Sequence, residues 1–505
     1  MTVTSDMILT VESIPNYVKQ QWTEHIGPQL QQSDIKAEEE EDISKSSSIR
    51  NYGADSALRG LEVTTIDGGS VNFSFCLKFP ALNNKTLFLK QAPEFVAKFG
   101  PDGFPLTSDR IQHEFDVYTE WKNILGATLS KKYLPNIYYF DRTRKVMIME
   151  FLGGHEPLDN VLDPPDNKVS NSTGGGPNCE KAACFGTFLG KVDNVFGGSP
   201  KASAATTDHL IASSLGNFLG TVHAATHSSK VSIERQMYLT SHFENREMRN
   251  VQLEFVFTKC YKEATAEQLS GLQLTKEFMF EIELLKRQYN GDGCVCGCGC
   301  GAGYTLVHGD LHPNSVLVDS TTGSTKVIDP EFTVYGPAGL DIGFLLNGYC
   351  LGAIHHAYSN KPDVVRNIIQ CAEQMWASYK AALTKGGLSL TIINEIEIET
   401  VGFTAAEICR TALGFAGGRS WLQFDDPKDT INSKNAALHL VETCMVARHN
   451  IYDNEDDDDD NNAMNEGDDD DSGSSSSGGI HLLFSELKKL TSSLSQPKSN
   501  AEWLI

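Results

Sequence analysis

Two short acidic motifs bracket a predicted β-hairpin in the second half of this 505-residue chain. The first motif is His308-Gly309-Asp310 and the second is Asp329-Pro330-Glu331, so that Asp310 and Asp329 stand 19 residues apart. β-Branched residues at 316–318 and 325–328 flank a Thr-Gly turn, which predicts a strand, a turn and a second strand between the motifs. Either motif alone is equally consistent with a capping residue or a turn, but the two in this order point to an enzyme site.

Phosphoryl transfer requires such a set of carboxylates, because its catalysis consists mostly of positioning and electrostatic stabilisation. One aspartate receives the proton of the acceptor hydroxyl, and further carboxylates hold Mg²⁺ on the nucleotide phosphates. We therefore predict that Asp310 is the catalytic residue, meeting the substrate hydroxyl, and that Asp329 and Glu331 are metal ligands. His308 and His312 are expected to brace the loop through hydrogen bonds, since no third ligand argues for zinc.

A lysine and a glutamate upstream extend the predicted nucleotide site. Lys90 lies on a predicted strand, and Glu114 follows 24 residues later on the next predicted helix. In kinases a strand lysine contacts the nucleotide phosphates and is held by a helix glutamate. A single strand lysine is usually a solvated edge charge, so its place ahead of the two acidic motifs is what favours the functional interpretation.

Two other segments could contact the nucleotide. Residues 67–72, Asp-Gly-Gly-Ser-Val-Asn, lie between strands where a loop covering the phosphates would sit, but the full G-x-G-x-x-G is missing and an ordinary β-turn explains them as well. Glu150, Phe151 and Leu152 end the predicted sheet, where the chain could offer backbone groups to adenine. A plain linker between two lobes is equally consistent with that tripeptide.

The secondary-structure pattern predicts an α+β protein with two lobes. In the first lobe, β-branched and aromatic stretches predict a small antiparallel sheet with one helix, which begins after Thr107 or Ser108 and ends near Leu125. The predicted strands are 61–66, 71–79, 86–91, 136–140 and 146–151. The second lobe is larger and mostly helical. Its predicted helices are 210–225, 264–288, 364–383, 400–415 and 436–446.

Four stretches rich in Gly, Ser, Asn, Pro or acid lack periodicity and are predicted to be disordered, low-complexity insertions. They are residues 33–50, 163–206, 290–303 and 453–479. We expect an N-terminal helical or disordered extension, a nucleotide-binding N-lobe, a C-lobe for catalysis and substrate, an acidic linker and a C-terminal helix. Their expected bounds are 1–54, 55–152, 153–452, 453–479 and 480–505.

The formal charge of −24 comes mostly from two acidic runs, with 12 acids in 453–471 and five in 38–42. Without them the charge is −7, an ordinary balance that supplies no basic face for nucleic acid. No signal-peptide pattern opens the chain, and the longest apolar stretch, 342–353, is too short to span a bilayer. We expect a cytoplasmic protein with a small-molecule substrate and no membrane or nucleic-acid partner, and the sequence leaves open whether it forms a homodimer.

The order of Lys90, Glu114, Glu150 and the two acidic motifs resembles the protein-kinase-like fold of the aminoglycoside phosphotransferases, and within it most closely the S-methyl-5-thioribose kinases. Other segments similar to that family are 67–75, 89–92, 100–110, 327–332, 335–343 and 413–417. The D-x-E spacing of the second motif is shared with methylthioribose kinases, and so is Ser315, where most relatives in the superfamily place asparagine. The resemblance covers roughly residues 55–450.

The resemblance implies an ATP-dependent kinase that phosphorylates the anomeric hydroxyl of methylthioribose in methionine salvage. ATP and Mg²⁺ are the implied cofactors, with Asp310 and Arg419 on the sugar. The implied nucleotide-binding residues are Asn72, Lys90, Glu114, Glu150, Phe151, Leu152, Asp329, Pro330 and Glu331. Two departures fall on the acceptor side: the family carries a paired arginine where this chain has Arg419-Ser420, and Phe104 replaces a tryptophan.

Three alternatives stay open. A related kinase could act on another sugar, amine or alcohol, which the missing arginine pair favours. A pseudokinase could scaffold partners through the acidic insertions, although such proteins typically lose one of the catalytic residues that this chain retains. The four cysteines alternating at 294–300 could store a soft metal, but structural zinc sites usually space cysteines two to four residues apart, so a low-complexity insertion is the preferred interpretation.

Overall fold

A computed structural model describes seven stretches of the chain. They are residues 7–32, 53–66, 71–162, 204–291, 303–416, 419–450 and 479–494. Both acidic runs, the cysteine cluster and nearly all of the four predicted insertions lie outside the described residues. What the sequence predicts for those stretches stays a prediction.

The N-lobe is built on a five-stranded antiparallel sheet. Its strands are β1 (Glu62–Thr65), β2 (Phe73–Phe79), β3 (Lys85–Gln91), β4 (Ile137–Asp141) and β5 (Val146–Glu150). They lie in the order β1-β2-β3-β5-β4, which places Lys90 in the centre of the sheet, opposite Ser74 on one side and Met147 on the other. All five predicted strands are confirmed to within two residues at each end, because β-branched and aromatic runs bounded by turn residues are a local signal.

The described part of the N-terminal extension packs against this sheet. It contains α1 (Ile14–Gln21), a π-helical turn (Trp22–Ile26) and the short α2 (Ala54–Ala57). Ile14 and Trp22 are buried in one apolar cluster with Leu87 of β3. The Gln91 side chain accepts a hydrogen bond from the Leu9 amide (2.8 Å), so the extension is joined to the sheet by polar as well as apolar contacts.

The N-lobe helix α3 (Arg110–Tyr133) follows the sheet residues that carry Lys90. It begins at Arg110, two or three residues after the predicted cap, and its backbone leaves the helical conformation at Gly126. The predicted end at Leu125 therefore marks a bend, beyond which the helix continues to Tyr133.

The C-lobe is mostly helical. Its helices are α4 (Leu158–Leu162), α5 (Ala204–Thr226), α6 (Ile233–His242), α7 (Arg246–Phe255), α8 (Lys259–Glu263), α9 (Lys276–Asn290), α10 (Gly339–Tyr358), α11 (Pro362–Lys385), α12 (Leu390–Ala412), α13 (Pro427–Ala447) and α14 (Gly479–Leu494). The predicted helix 264–288 was wrong at its start, because the Thr275 hydroxyl caps α9 by accepting the Phe278 amide at 3.1 Å. Helices α4, α6, α7, α8 and α10 were not predicted, and α12 and α13 begin ten and nine residues before their predicted starts at 400 and 436.

The unpredicted α10 runs through the middle of the C-lobe. Every residue from Gly339 to Ala357 is buried, so the helix is covered on all sides and lacks the 3.6-residue periodicity that reveals a surface helix. Helices α5 and α11 pack closely nearby, since a Cβ on Gly216 would lie 2.3 Å from the Met375 carbonyl oxygen. Among the described residues, no helix is long and apolar enough to cross a membrane.

Short strands bring the two acidic motifs together. They are β6 (Glu156–Pro157), β7 (Tyr304–Val307), β8 (Val316–Asp319), β9 (Ser324–Val327) and β10 (Val334–Pro337). The predicted hairpin is confirmed as β8 and β9, and the unpredicted pair β7 and β10 joins the start of the first motif to the end of the second. Gly309 has φ 87°, and a Cβ there would lie 2.1 Å from the Phe332 carbonyl oxygen, so the close approach requires glycine.

Candidate active site

Lys90 stands between two carboxylates at the junction of the lobes. Its ammonium Nζ lies 2.7 Å from Glu114 Oε2 and 2.6 Å from Asp329 Oδ1, and all three side chains are buried. Glu114 comes from α3 and Asp329 follows β9, so the contact joins the N-lobe to the C-lobe. The structure thus assembles the lysine–glutamate pair that the sequence spacing suggested.

The second acidic motif forms a tight turn after the hairpin. Asp329 takes a left-handed backbone conformation (φ 60°, ψ 48°), which is uncommon for a residue with a side chain. Its amide donates to the Tyr118 hydroxyl at 3.2 Å, and Pro330 opens a single 3₁₀ turn that ends at Phe332. The turn directs the Asp329 carboxylate to Lys90 and the Glu331 carboxylate to the N-lobe.

Glu331 meets Asn72 and Arg110 of the N-lobe. The Asn72 amide Nδ2 donates to Glu331 Oε2 at 3.2 Å, and the Arg110 Nε donates to Asn72 Oδ1 at 3.1 Å and lies 3.7 Å from the same carboxylate. The other Glu331 oxygen, Oε1, is buried without a hydrogen-bond partner. An orphaned carboxylate oxygen of this kind is an open ligand position.

This part of the site carries excess negative charge. Two cations, Lys90 and Arg110, face three carboxylates, those of Glu114, Asp329 and Glu331. Burial raises the pKa of Asp329 and of Glu114 above their ordinary values, and the single Lys90 ammonium only partly opposes that rise. A cation bound beside Asp329 and Glu331 would stabilise the ionised forms of Asp329 and Glu114.

Mg²⁺ fits this arrangement. Within the described stretches no three His, Cys, Asp or Glu side chains converge on a metal position, so protein groups alone do not make a closed cage. Mg²⁺ characteristically binds through one or two carboxylates and takes its remaining ligands from water and substrate phosphates. Asp329 and the orphaned oxygen of Glu331 supply that minimum.

Arg110 had not been singled out from the sequence. Besides Asn72 it donates to four main-chain carbonyl oxygens, those of Val71 (2.9 Å), Pro93 (2.8 Å), Leu106 (3.1 Å) and Thr107 (2.5 Å). A cation in the first turn of a helix is unfavourable for the helix dipole, and this mismatch was the available signal. Arg110 thus connects the segment before Phe73 and the segment after β3 to the Glu331 carboxylate.

Asp310 lies in the loop between β7 and β8. Its Oδ1 accepts a hydrogen bond from Gln252 Nε2 at 3.2 Å, and its Oδ2 lies 3.6 Å from His312 Nε2. Burial raises the pKa of Asp310 to about 7, against the attraction of Arg410 and Arg419. A carboxyl that titrates near neutral pH is well suited to exchange a proton with a hydroxyl.

Buried polar groups hold the loop around Asp310 in place. His308 Nε2 lies 2.9 Å from the Ile328 carbonyl oxygen, and His312 Nδ1 accepts the Asn314 amide at 3.2 Å, so both histidines brace the loop. Asp341 of α10 accepts the amides of His308 (2.7 Å) and Gly309 (3.0 Å). The Ser315 hydroxyl donates to the Asp310 carbonyl oxygen at 2.9 Å.

A second arginine lies near Arg419 in the structure, although it is not next to it in the sequence. Arg410 of α12 binds Glu407 through two nitrogens (2.9 and 2.5 Å), and Arg419 Nη1 binds the same carboxylate at 2.8 Å. The sequence still lacks the family's pair at Arg419-Ser420, but the structure brings a second guanidinium, from the preceding helix, to the same carboxylate. Arg419 Nη2 is buried without a hydrogen-bond partner.

The residues at the end of β5 and just after it make contacts within the protein. Glu150 Oε2 accepts the Asn136 amide at 3.1 Å and lies 3.7 Å from Lys326 Nζ. Phe151 and Leu152 are half-buried and lead from β5 into the C-lobe, and the Leu152 carbonyl oxygen accepts the His155 amide at 3.0 Å. These three residues form the connection from β5 into the C-lobe.

Residues 197–368 match the phosphotransferase enzyme family. Methylthioribose kinase from Bacillus pumilus (strain SAFR-032) is 25% identical over 417 residues, covering 78% of this chain and 89% of that protein. Methylthioribose kinase from Geobacillus sp. (strain WCH70) is 22% identical over 409 residues, covering 77% and 87%. The enzyme of the same name from Bacillus cereus (strain AH820) is 28% identical over 248 residues, covering 46% and 60%.

Among solved structures, Plasmodium vivax ethanolamine kinase covers 87% of this chain and 98% of its own, with 14% identity and a TM-score of 0.37. The lobes and the sheet order described above define the fold. The chain is a phosphotransferase with the two-lobed, protein-kinase-like fold expected from its sequence. Its resemblance to the methylthioribose kinases is confirmed by the similarity to several of them over most of the chain.

Proposed function

We propose that this protein is an ATP-dependent kinase that phosphorylates S-methyl-5-thioribose on its 1-hydroxyl, a step of methionine salvage. The observation that carries the proposal is the grouping of Lys90, Asp329 and Glu331 at the lobe junction, with Asp310 in the loop that precedes the same β8–β9 hairpin. The similarity to enzymes named methylthioribose kinase supports the choice of acceptor.

The proposed roles follow from the charges. The acceptor hydroxyl attacks the γ-phosphorus of ATP while its proton passes to Asp310, a new oxygen–phosphorus bond forms, and the bond to the ADP oxygen breaks. Lys90 neutralises the nucleotide phosphates, and Glu114 holds Lys90 in place. Asp329 and Glu331 would hold Mg²⁺, which neutralises charge on the transferred phosphoryl group.

The remaining nucleotide contacts are proposed at the lobe connection. Asn72 is placed by Arg110 at the edge of the carboxylate cluster. The chain from Glu150 through Phe151 and Leu152 would lie along the adenine. Pro330 sets the turn that separates the two metal-binding carboxylates.

The acceptor side suits a neutral, hydroxylated molecule. Arg410, Arg419, Glu407 and Asp310 balance in charge, which leaves no net charge for an ionic ligand to neutralise. The unpartnered Nη2 of Arg419 is a donor, and a sugar hydroxyl oxygen can accept its hydrogen bond. Because the proposed substrate is a free metabolite, we propose that the protein works in the cytoplasm and that this small molecule is its binding partner.

The test is an ATP-turnover assay with Mg²⁺ on the purified chain, comparing methylthioribose with ribose, choline and an aminoglycoside. Selective phosphorylation of methylthioribose at its 1-hydroxyl, located by phosphorus NMR of the product, is the expected outcome. Preference for another acceptor would keep the phosphoryl transfer but overturn the proposed substrate. Nucleotide binding without turnover of any acceptor would favour the scaffold alternative.

A further inference from the structure

Helix α7 reaches both acidic motifs. At its start, Asn245 donates to the main-chain oxygens of Glu331 (2.8 Å) and Thr333 (3.1 Å). Near its end, Gln252 donates to the Gly309 carbonyl oxygen (3.1 Å) and to Asp310 Oδ1 (3.2 Å). One unpredicted helix therefore contacts the segment that carries the metal ligands and the loop that carries the catalytic aspartate.

The direction of the Gln252 amide is set by its partners. A main-chain carbonyl and an ionised carboxylate can only accept hydrogen bonds, so the NH₂ end of the side chain must face them. Gln252 is buried, with 6% of its surface exposed, and water therefore does not readily replace the amide. A buried donor on a carboxylate favours the ionised form of the acid.

Other charged and titratable groups also face Asp310. His312 lies 3.6 Å away in the same loop, Glu407 and Arg410 project from α12, Arg419 follows α12, and Tyr289 lies on α9. Burial raises the pKa of Asp310 while the two arginines oppose the rise. The Gln252 hydrogen bond acts in the same direction as the arginines, but it also fixes one carboxylate oxygen in space.

We infer that Gln252 is a positioning residue: it orients the Asp310 carboxylate toward the acceptor and keeps it ionised. The inference rests on the proposed function, in which Asp310 receives the hydroxyl proton. With Oδ1 bound to Gln252, Oδ2 is the oxygen left to face the hydroxyl.

The first test is the pH profile of kcat/KM for the acceptor at saturating ATP, in the Gln252→Leu variant. Loss of the donor should move the acidic limb to higher pH by about one unit, so that turnover falls about tenfold near pH 6 and little near pH 9. Gln252→Glu, which puts a second carboxylate beside Asp310, should move the limb further. A uniform loss at every pH would overturn the inference.

Gln236→Leu is the matched control. Gln236 on α6 also donates twice through Nε2, to the carbonyl oxygens of Ser228 (2.7 Å) and Val231 (3.2 Å), but it contacts no ionisable side chain through these bonds. Its variant should leave the acidic limb where it is in the wild type. A shift as large as that of Gln252→Leu would count against a specific role for Gln252.

A second measurement needs no acceptor. Urea unfolding compares the wild type with Gln252→Leu, each with and without Asp310→Asn, as a function of pH. The stability difference should grow as pH rises through about 7, since the donor favours only the ionised acid, and this growth should vanish in the Asp310→Asn background. If the growth is seen while no acceptor is turned over, the Gln252 contact stands and the proposed function fails; a difference independent of pH in both backgrounds overturns the inference.

Discussion

The side of the site around Lys90 joins both lobes, whereas the side around Arg419 is built from the C-lobe alone. We name them the donor side and the acceptor side. The donor side comprises Asn72, Lys90, Arg110, Glu114, Asp329 and Glu331. The acceptor side comprises Gln252, Asp310, Glu407, Arg410 and Arg419.

The two sides differ in charge and in what they leave unpaired. The donor side has three carboxylates against two cations, and its unpaired atoms are hydrogen-bond acceptors, Glu331 Oε1 and Glu114 Oε1. The acceptor side has two carboxylates against two guanidinium groups, and its orphaned atom is a donor, Arg419 Nη2. Buried polar groups are stable only when paired. The donor side therefore suits a metal cation bound to nucleotide phosphates, and the acceptor side suits a neutral molecule whose oxygen atoms accept hydrogen bonds.

Replacing the catalytic carboxylate should give the largest effect. Asp310→Asn keeps the size of the side chain but cannot receive a proton, so we expect kcat to fall by about 10²–10⁴-fold. ATP affinity, measured by calorimetry, should be unchanged because Asp310 belongs to the acceptor side. Equal losses of ATP affinity and turnover would mean that the two sides are not separate.

Removing the metal-binding charge should act on the donor side only. In Glu331→Gln we expect the half-saturating Mg²⁺ concentration for turnover to rise at least about tenfold, with Mn²⁺ binding in the presence of ATP weakened in parallel. Glu156→Gln is the control, since Glu156 lies outside the site and accepts a hydrogen bond from the Ser320 hydroxyl at 2.8 Å. An unchanged Mg²⁺ dependence in Glu331→Gln would remove Glu331 from the metal site.

A change at the orphaned donor should act on the acceptor side only. Arg419→Lys keeps the charge but loses the second nitrogen, so KM for the acceptor should rise about 10-fold, with kcat and the KM for ATP nearly unchanged. Arg366→Lys is the matched control, because Arg366 also pairs with a carboxylate, Asp363 at 3.0 Å, but is exposed. A rise in the KM for ATP instead would place Arg419 on the donor side.

The smallest effect is expected where neither side is touched. Thr275→Ala removes the N-cap of α9 and should lower the free energy of unfolding by about 1 kcal/mol, measured in urea. Both KM values should stay at the wild-type level. A change in either one would show that the start of α9 is coupled to the site.

The sequence predicted much of the donor side, because its signals are local. Strand patterns located β3 and its lysine, and the hairpin spacing placed Asp329 after a turn. The acceptor side was predicted less well: Asp310 and Arg419 stood out, but Gln252, Glu407 and Arg410 did not. Gln252 lies on the unpredicted α7, and Glu407 and Arg410 lie on α12, where no short motif marks them.

The amino-acid sequence by itself determined the two lobes, the order of the motifs and the residue types that phosphoryl transfer needs, since periodicity and short-range spacing are properties of the chain. Only the tertiary structure decided which groups meet. Arg410 pairs with Arg419 through Glu407, and Asn72 reaches Glu331 across 259 residues of sequence. Such contacts depend on the path of the whole chain, because burial holds together charged groups that no local pattern connects.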